Sequence, residues 1–277
     1  MFFLPSPFTS LPHRSEDRRR LGIKIQASLF FLLSPFTIFA LMSFKFKQFS
    51  LQDTHSAMKV GTDGVLLGAW AYIPGEGRIL DVGCGSGIIA LMCAQRSSKE
   101  VAIEAIEIDA GAAKDALANF NNSAWHDRIN LICADFRSYA STCSVRYNAI
   151  ISNPPFFKDS LKPGNKSREI ARHTDSLEYD DLFNGCGKIL AENGKISLIT
   201  TWESYGDIAK AATENRMFLY RRTDVFTTAE EKFPKRVLTE WSRTPTDYIW
   251  NSITINTALG TYSEEYKNIV GDFYINM

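Results

Sequence analysis

Four short stretches of this chain carry residues able to do chemistry, and each stands at the end of an apolar run. In "RILDVGCGSG" a run holding Asp81 breaks into Gly83, Gly85 and Gly87 before "IIALMC" resumes at helical spacing. Glycines there let a ligand approach the backbone, and the start of the following helix offers unpaired N–H groups. "VAIEAIEID" ends in Glu107 and Asp109. An acid at the end of a second strand, about 20 residues after a glycine loop, can hold both hydroxyls of a ribose. The loop lacks the G-x-G-x-x-G spacing of dinucleotide sites and is a weak signal alone, but loop and acid in this order indicate a cofactor that contains adenosine. "INLICADF" ends in Asp135 and Phe136, and "NAIISNPPFFK" ends in Asn153, Pro154, Pro155, Phe156 and Phe157. Two prolines cannot continue a sheet ladder and fix a rigid turn instead, so this strand closes on a polar amide, two rings without N–H groups and two aromatic faces.

The elements that must hold these residues follow from pattern. Residues 78–96 read as strand, glycine loop and helix. "GAAKDALANFNNS" is an alanine-rich helix, and "YDDLFNGCGKILAENG" is a helix that closes on Gly194 as a C-cap before the strand "KISLIT". Strand and helix alternate at α/β spacing, which predicts a mostly parallel sheet with helices on both faces. Ligands of such sheets bind at the carboxyl ends of the strands. Asp81 to Gly87, Glu107 to Asp109, Asp135, and Asn153 to Phe157 all fall there. In the last third, "RMFLYRRTDVFTT", "KRVLTEWSR" and "YIWNSITIN" read as short strands, with a hairpin that returns antiparallel to finish the sheet.

Composition sets the bounds. With 277 residues, 45% hydrophobic and 22% charged, the chain suits one domain with a full core and a small extension. Lysines plus arginines equal acids at 31 each, so no global basic field marks a nucleic-acid binder, and a polyanion partner has to use a local patch. Five cysteines, odd in number and never two residues apart, argue for reduced thiols in a cytoplasmic protein and against a disulfide framework or a metal site. The stretch "RRRLGIKIQASLFFLLSPFTIFAL" has the basic-then-apolar order of a signal peptide or a marginal anchor, but Pro35 interrupts it and no small-x-small cleavage site follows. We read Met42, opening "MSFKFKQFS", as the start of a single domain over residues 42–277, with residues 1–41 an upstream or disordered extension. A genuine anchor is the alternative, and stable membrane association is not expected.

At this point the residues resemble a known family. "LDVGCGSG" resembles the first motif of the class I S-adenosylmethionine-dependent methyltransferases, "IEID" the second, "ADF" the third, and "NPPF" the fourth motif of those that methylate a planar amino group. With "FKQFSLQDTHSAMKVGTDGVLLGAWA" and "SREIARHTDSLEYDDL", the chain is similar over nearly all of residues 42–277 to the bacterial valine-tRNA adenine-N6 methyltransferases, which modify adenosine 37, just 3′ of the anticodon. The resemblance implies a Rossmann-like α/β fold with a seven-stranded, mostly parallel sheet in the order 3-2-1-4-5-7-6, strand 7 antiparallel. It implies S-adenosyl-L-methionine as cofactor. Asp81 and the backbone of Gly83, Gly85 and Gly87 would face its amino-acid part, Glu107 with Asp109 its ribose, and Asp135 with Phe136 its adenine, with Asn153 at its reactive end. Lys59, Thr62 and Asp63 of "KVGTDG" would pack over it; equally, Thr62 or Asp63 could simply cap the helix "GVLLGAWA".

Asn153, Pro154, Pro155 and Phe156 would carry catalysis. An amine conjugated to a ring is a poor nucleophile because its lone pair is delocalised. If the Asn153 side-chain oxygen and the Pro154 carbonyl accept its two hydrogens, the nitrogen is drawn toward the tetrahedral geometry that attack on a methyl group needs. Phe156 would stack on the flat target, and Phe157 would pack behind it or meet the next base.

The same motif serves adenine in DNA, adenine in RNA and glutamine amides in protein. Little chain remains for a separate DNA-recognition domain, so DNA is not expected and tRNA is the expected partner, recognised through loops. The foremost loop is "KDSLKPGNKSREIARH", with Lys158, Lys162, Lys166, Arg168, Arg172 and His173 directly after the motif; a solvated charged face is its bland alternative. Arg221, Arg222, Lys232, Lys235 and Arg236 would extend the patch. Two alternatives are N6-methylation of adenine in ribosomal RNA and protein-glutamine N5-methylation, the latter opposed by the absence of a helical recognition domain between Met42 and Arg78. A binding module without catalysis would have no use for the amine-accepting geometry. A cytosine-C5 enzyme would need a cysteine where Phe156 stands, and Cys143 and Cys186 read as core or edge residues.

Overall fold

Four parallel strands form one half of the main sheet. They are β3 (Gly77–Val82), β4 (Val101–Glu107), β5 (Ile129–Cys133) and β6 (Tyr147–Ser152). The computed structural model describes residues 43–56, 59–155 and 177–277, and Phe44–Met277 is one compact unit within it. The expected extension, residues 1–41, lies outside the described residues, as do Phe156, Phe157, Lys158, Lys162, Lys166, Arg168, Arg172 and His173. A short antiparallel pair, β1 (Phe44–Lys45) with β2 (Ser50–Leu51), precedes the sheet.

The sheet continues through β7 (Leu190–Thr201), β9 (Arg236–Ser242), β8 (Phe218–Thr228) and β10 (Ile249–Asn256), in the order β10-β8-β9-β7-β6-β3-β4-β5. Strand β9 runs antiparallel to both β7 and β8. Seven of these strands follow the expected order, with the antiparallel strand where it was expected. An eighth, β10, extends the sheet by pairing parallel with β8, so "YIWNSITIN" forms an added edge.

Alternation along the strands divides the core. Ile79 of β3 and Ala149 and Ile151 of β6 face one side, with α1 (Thr62–Trp70), α2 (Ile88–Arg96), α3 (Ala110–Asn121) and α7 (Glu264–Val270). Leu80, Ile150, Ile196 and Leu198 face the other, with α4 (Phe136–Thr142), α5 (Tyr179–Ile189) and α6 (Tyr205–Glu214). A period of two is what a strand buried on both faces requires.

Two expected boundaries need correction. Helix α5 ends at Ile189, not at Gly194, and Leu190 already belongs to β7. The register between β6 and β7 shifts after Tyr147, and a Cβ on Gly194 would lie 2.9 Å from the Tyr147 carbonyl. Glycine is needed there for close backbone approach at a bulge, which a sequence reads easily as a cap. Helix α1 starts at Thr62 with Gly61 as N-cap and no side-chain cap bond, so neither Thr62 nor Asp63 is its cap.

Candidate active site

Register alone places the chemistry. Val82 pairs with Ile106 on one side and with Ser152 on the other. The next residues, Gly83, Glu107 and Asn153, therefore stand at one level where three adjacent strands end. They open into a cleft of about 700 Å³, within the size range of sites that bury a small organic ligand. Lys59, Thr62, Asp63, Asp109, Asp135, Phe136 and Pro154 also border it. Of the described residues expected at the site, all but Gly87 and the fully buried Asp81 border it.

The glycines divide by what surrounds them. All three have positive φ, +68° at Gly83, +56° at Gly85 and +86° at Gly87, a region that costs other residues about 1–2 kcal/mol. A Cβ on Gly83 would meet nothing within 4 Å, and one on Gly85 would come only within 3.7 Å of Ser56 Oγ. Their open space is the cleft itself. A Cβ on Gly87 would sit 2.4 Å from the Phe120 ring, and this residue is the N-cap of α2. Gly87 does not border the cleft, and its conformation and packing are those of a helix start held against α3.

The acids are held by backbone N–H groups. Glu107 Oε2 accepts from Gly85 N at 2.8 Å and Oε1 from Asp109 N at 2.9 Å, so this carboxylate ties the glycine loop to the end of β4 and keeps spare lone pairs toward the cleft. Asp109 caps α3 through Ala112 N at 2.7 Å. Asp135 caps α4 through Arg137 N and Ser138 N. The Arg137 guanidinium, 2.5 Å away, leads the interactions that hold its carboxyl below the usual range. Phe136 is buried with its ring against Gly185 of α5.

Asp81 is different. It is fully buried, and Oδ2 accepts from Ala90 N at 3.0 Å while Oδ1 has no hydrogen-bond partner. Burial, less the help of that bond and with a further push from Glu107, raises its pKa from the usual 3.8 to about 7. Asn153 Oδ1 is likewise buried without a partner, at the mouth of β6 where Ser152 Oγ pins the strand to the Val82 carbonyl at 2.8 Å. Buried oxygens are seldom left unpaired, since each costs about 1–3 kcal/mol. An unpaired carboxylate oxygen behind a glycine cradle fits the positively charged amino-acid end of a ligand such as S-adenosylmethionine, and the unpaired Asn153 amide oxygen in the cleft fits a separate hydrogen-bond donor.

The segment before the first helix is fastened over this cleft. Asp115 and Asn119 lie one turn apart on α3. Asp115 accepts from His55 N at 2.6 Å, from Ser56 N at 2.9 Å and from His55 Nδ1 at 2.7 Å. Asn119 donates to the Gln52 and Ser86 carbonyls at 2.7 and 2.8 Å and accepts from Gln52 N. Sequence reading passed over this clamp, although its signal was present: two polar residues four apart on the buried face of an alanine-rich helix. Lys59, expected over the cofactor, donates to the Asp53 carbonyl, and Asp63 pairs with Arg236 at 2.8 Å. Ile108 was also missed; 55% exposed and bordering the cleft between Glu107 and Asp109, it offers a bare aliphatic face beside the two carboxylates.

The expected basic extension is only partly free. Arg221 is spent on the buried Glu240 at 2.8 Å and on the Trp70 ring. Arg222 pairs with Asp224 at 2.7 Å. Arg221 braces β8 to β9 and Arg222 pairs along β8, while Arg236 is held by Asp63 and Lys235 stands 3.6 Å from Glu231, so of the five expected residues Lys232 is the one for which no ion pair is seen among the described residues.

Comparisons with known proteins agree with the geometry. Residues 55–204 match the family described as the methyltransferase small domain. A tRNA1(Val) (adenine(37)-N6)-methyltransferase of Trichodesmium erythraeum is 41% identical over 234 residues, covering 84% of this chain and 97% of the relative. One from Bacteroides fragilis is 39% identical over 235 residues, covering 84% and 98%. Among solved structures, a predicted O-methyltransferase from Agrobacterium tumefaciens superposes with a TM-score of 0.61 at 18% identity, over 76% of this chain and 96% of its own; it shares the fold.

Proposed function

The chain belongs to the tRNA1(Val) (adenine(37)-N6)-methyltransferase family, and from that premise we propose how it methylates the exocyclic amine of adenosine 37 in a valine tRNA. The observation that carries the reading is Asn153 Oδ1, buried and unpartnered in the same cleft as the glycine loop. S-adenosylmethionine, when bound, supplies a methyl group on a positively charged sulfur. Asp81 and the backbone of Gly83 and Gly85 hold its amino-acid end, Glu107 its ribose, and Ile108 with the Asp135–Phe136 corner its adenine. Asn153 Oδ1 and the Pro154 carbonyl accept the two hydrogens of the target amine. Their pull localises the lone pair on nitrogen, and the two prolines keep the acceptors from turning away. The amine becomes acidic only as the new bond forms, so no base has to be in place beforehand.

Phe156 stacks on the target adenine, and Phe157, Lys158, Lys166, Arg168, Arg172 and His173 meet the RNA around it; all lie outside the described residues. The methyltransferase domain is residues 42–277, with residues 1–41 outside it. Among the described residues no helix is long and apolar enough to cross a membrane, and all five cysteines are free thiols, which supports a cytoplasmic site of action alongside tRNA. The test is methyl transfer from labelled S-adenosylmethionine to total tRNA from a strain lacking this gene, followed by nucleoside analysis. N6-methyladenosine in the anticodon loop of a valine tRNA is expected. Label on ribosomal RNA or on a glutamine side chain would retain the amine chemistry and reject the substrate.

A further inference from the structure

Beside the cleft, at the same edge of the sheet, an aromatic pair is left half open. Ser152 pairs with Leu198, so Asn153 to Pro155 leave the sheet alongside the last residues of β7, and Trp202 follows directly after that strand. On the next strand Arg236 pairs with Thr201 and borders the cleft, which places Phe233, three residues earlier, on the same rim. Neighbouring strands are about 4.8 Å apart, and the pair stands at the same edge of the sheet, beyond the end of the strand next to the one that carries the acceptor groups. The Trp202 and Phe233 rings are stacked, with centroids 6.1 Å apart and planes at 26°, and Phe233 is 55% exposed.

The surroundings of the pair suit an anion with flat bases. Lys232 Nζ stands 5.5 Å from the Phe233 centroid, while the Arg222 guanidinium, 5.3 Å from the Trp202 centroid and neutralised by Asp224, backs the rings from within. Of the nearby acids, Glu231 is satisfied within the loop, by Thr227 N at 2.7 Å and Lys235 Nζ at 3.6 Å, while Glu203 and Glu230 are exposed beside the pair. The buried Pro234 fixes the turn behind Phe233. Exposed rings interleaved with cations are the means by which proteins hold unpaired nucleotides, because every base has a face to stack.

We propose that Trp202 and Phe233 form a stacking platform for an unpaired base of the anticodon loop next to the target adenosine, with Lys232 at the accompanying phosphate. The proposal rests on the tRNA reading above and adds to it where the RNA leaves the cleft. A target base turned out of the loop leaves its neighbour unstacked, and the platform replaces that lost partner.

The experiment measures binding and methylation of a valine anticodon stem-loop by Phe233→Ala, Phe233→Tyr and Lys232→Gln in the full chain. Phe233→Ala is expected to weaken RNA binding and raise the RNA KM about tenfold, with S-adenosylmethionine affinity and kcat at saturating RNA within about twofold of the parent. Phe233→Tyr restores binding, which a loop that merely lost its fold would not. Lys232→Gln lowers affinity less and reduces the salt slope by about one. Unchanged RNA affinity in Phe233→Ala, with the parent methylating the stem-loop normally, overturns the platform alone. A parent protein that methylates no tRNA overturns the functional reading, and the platform with it.

Discussion

The two ends of the parallel sheet invite comparison, because both carry charged residues around a cleft. At the amino ends of the strands a recess of about 540 Å³ is bordered by Arg78, Glu104, Asp127 and Arg128. Several of its polar groups are spent on the fold. Arg128 donates to the Ala94 carbonyl at 2.7 Å, the Ser98 carbonyl at 2.6 Å and the Val101 carbonyl at 3.2 Å. Asn148 Oδ1 accepts from Arg78 N at 3.0 Å, and Tyr147 donates to Glu104. At the carboxyl ends, Asp81 Oδ1 and Asn153 Oδ1 are buried and have no partner. Both ends are polar, but the unpartnered oxygens of Asp81 and Asn153 stand beside the glycine loop, whereas Arg78, Glu104, Arg128 and Asn148 are bonded within the fold. That difference separates a structural recess from a functional one more surely than charge or volume does.

The comparison can be broken in four ways. The largest expected effect is on turnover: Asn153→Ala lowers the methyl-transfer rate by roughly two to three orders of magnitude, the scale for losing one fixed polar contact to a transition state, while calorimetry finds S-adenosylmethionine affinity nearly unchanged. Next come the glycines. Gly87→Ala forces a methyl into the Phe120 ring in a strained conformation and should cost at least about 2–3 kcal/mol in denaturant unfolding. Gly83→Ala should cost about 1–2 kcal/mol but weaken cofactor binding about tenfold, because its methyl enters the cleft.

The third effect is pH dependence. With the Asp81 pKa near 7, the cofactor's positive end meets a carboxylate only above that pH. Affinity should therefore rise with pH, by up to about tenfold per unit below 7, and level off above it; Asp81→Asn should abolish the slope. Stability of the cofactor-free protein runs the other way. The folded state keeps this proton up to about pH 7 while the unfolded chain releases it near 3.8, so the contribution of Asp81 falls as pH rises across that window. The difference in melting temperature between parent and Asp81→Asn, measured at pH 5 and pH 8, checks the sign. The smallest functional effect belongs to the amino end. Arg128→Ala should lose about 1–3 kcal/mol of stability and leave kcat per folded molecule intact.

Much of this was legible in the sequence, for reasons that differ by residue. The glycine loop, Glu107, Asp135 and Asn153-Pro154 announce themselves because each stands where an apolar run stops, and parallel strands bring such stops to one edge. Gly194 misled because a glycine after a helical pattern reads as a cap, whereas the backbone of β6 required it. The role of Gly87 differed for a similar reason: its neighbour is Phe120, distant in sequence and visible only after packing. Arg221 looked free because its partner Glu240 is set by strand register, and Arg222 because its partner Asp224, two residues on along the same strand, faces it only once the segment is extended. The eighth strand was legible as a strand, but its pairing with β8 was not, since nothing local dictates which edge a strand joins. The Asp115–Asn119 clamp went unread because a helix with scattered polar residues looks merely solvated until one knows which face is buried.

The most direct test of the central claim compares two valine anticodon stem-loops, one with adenosine and one with inosine at position 37, in methyl transfer from labelled S-adenosylmethionine. Inosine keeps the flat base and replaces the exocyclic amine with an oxygen. Label appearing as N6-methyladenosine in the first and none in the second is the predicted result. Equal labelling of both would show that the acceptor is not the amine held by Asn153 and Pro154, and would contradict the account.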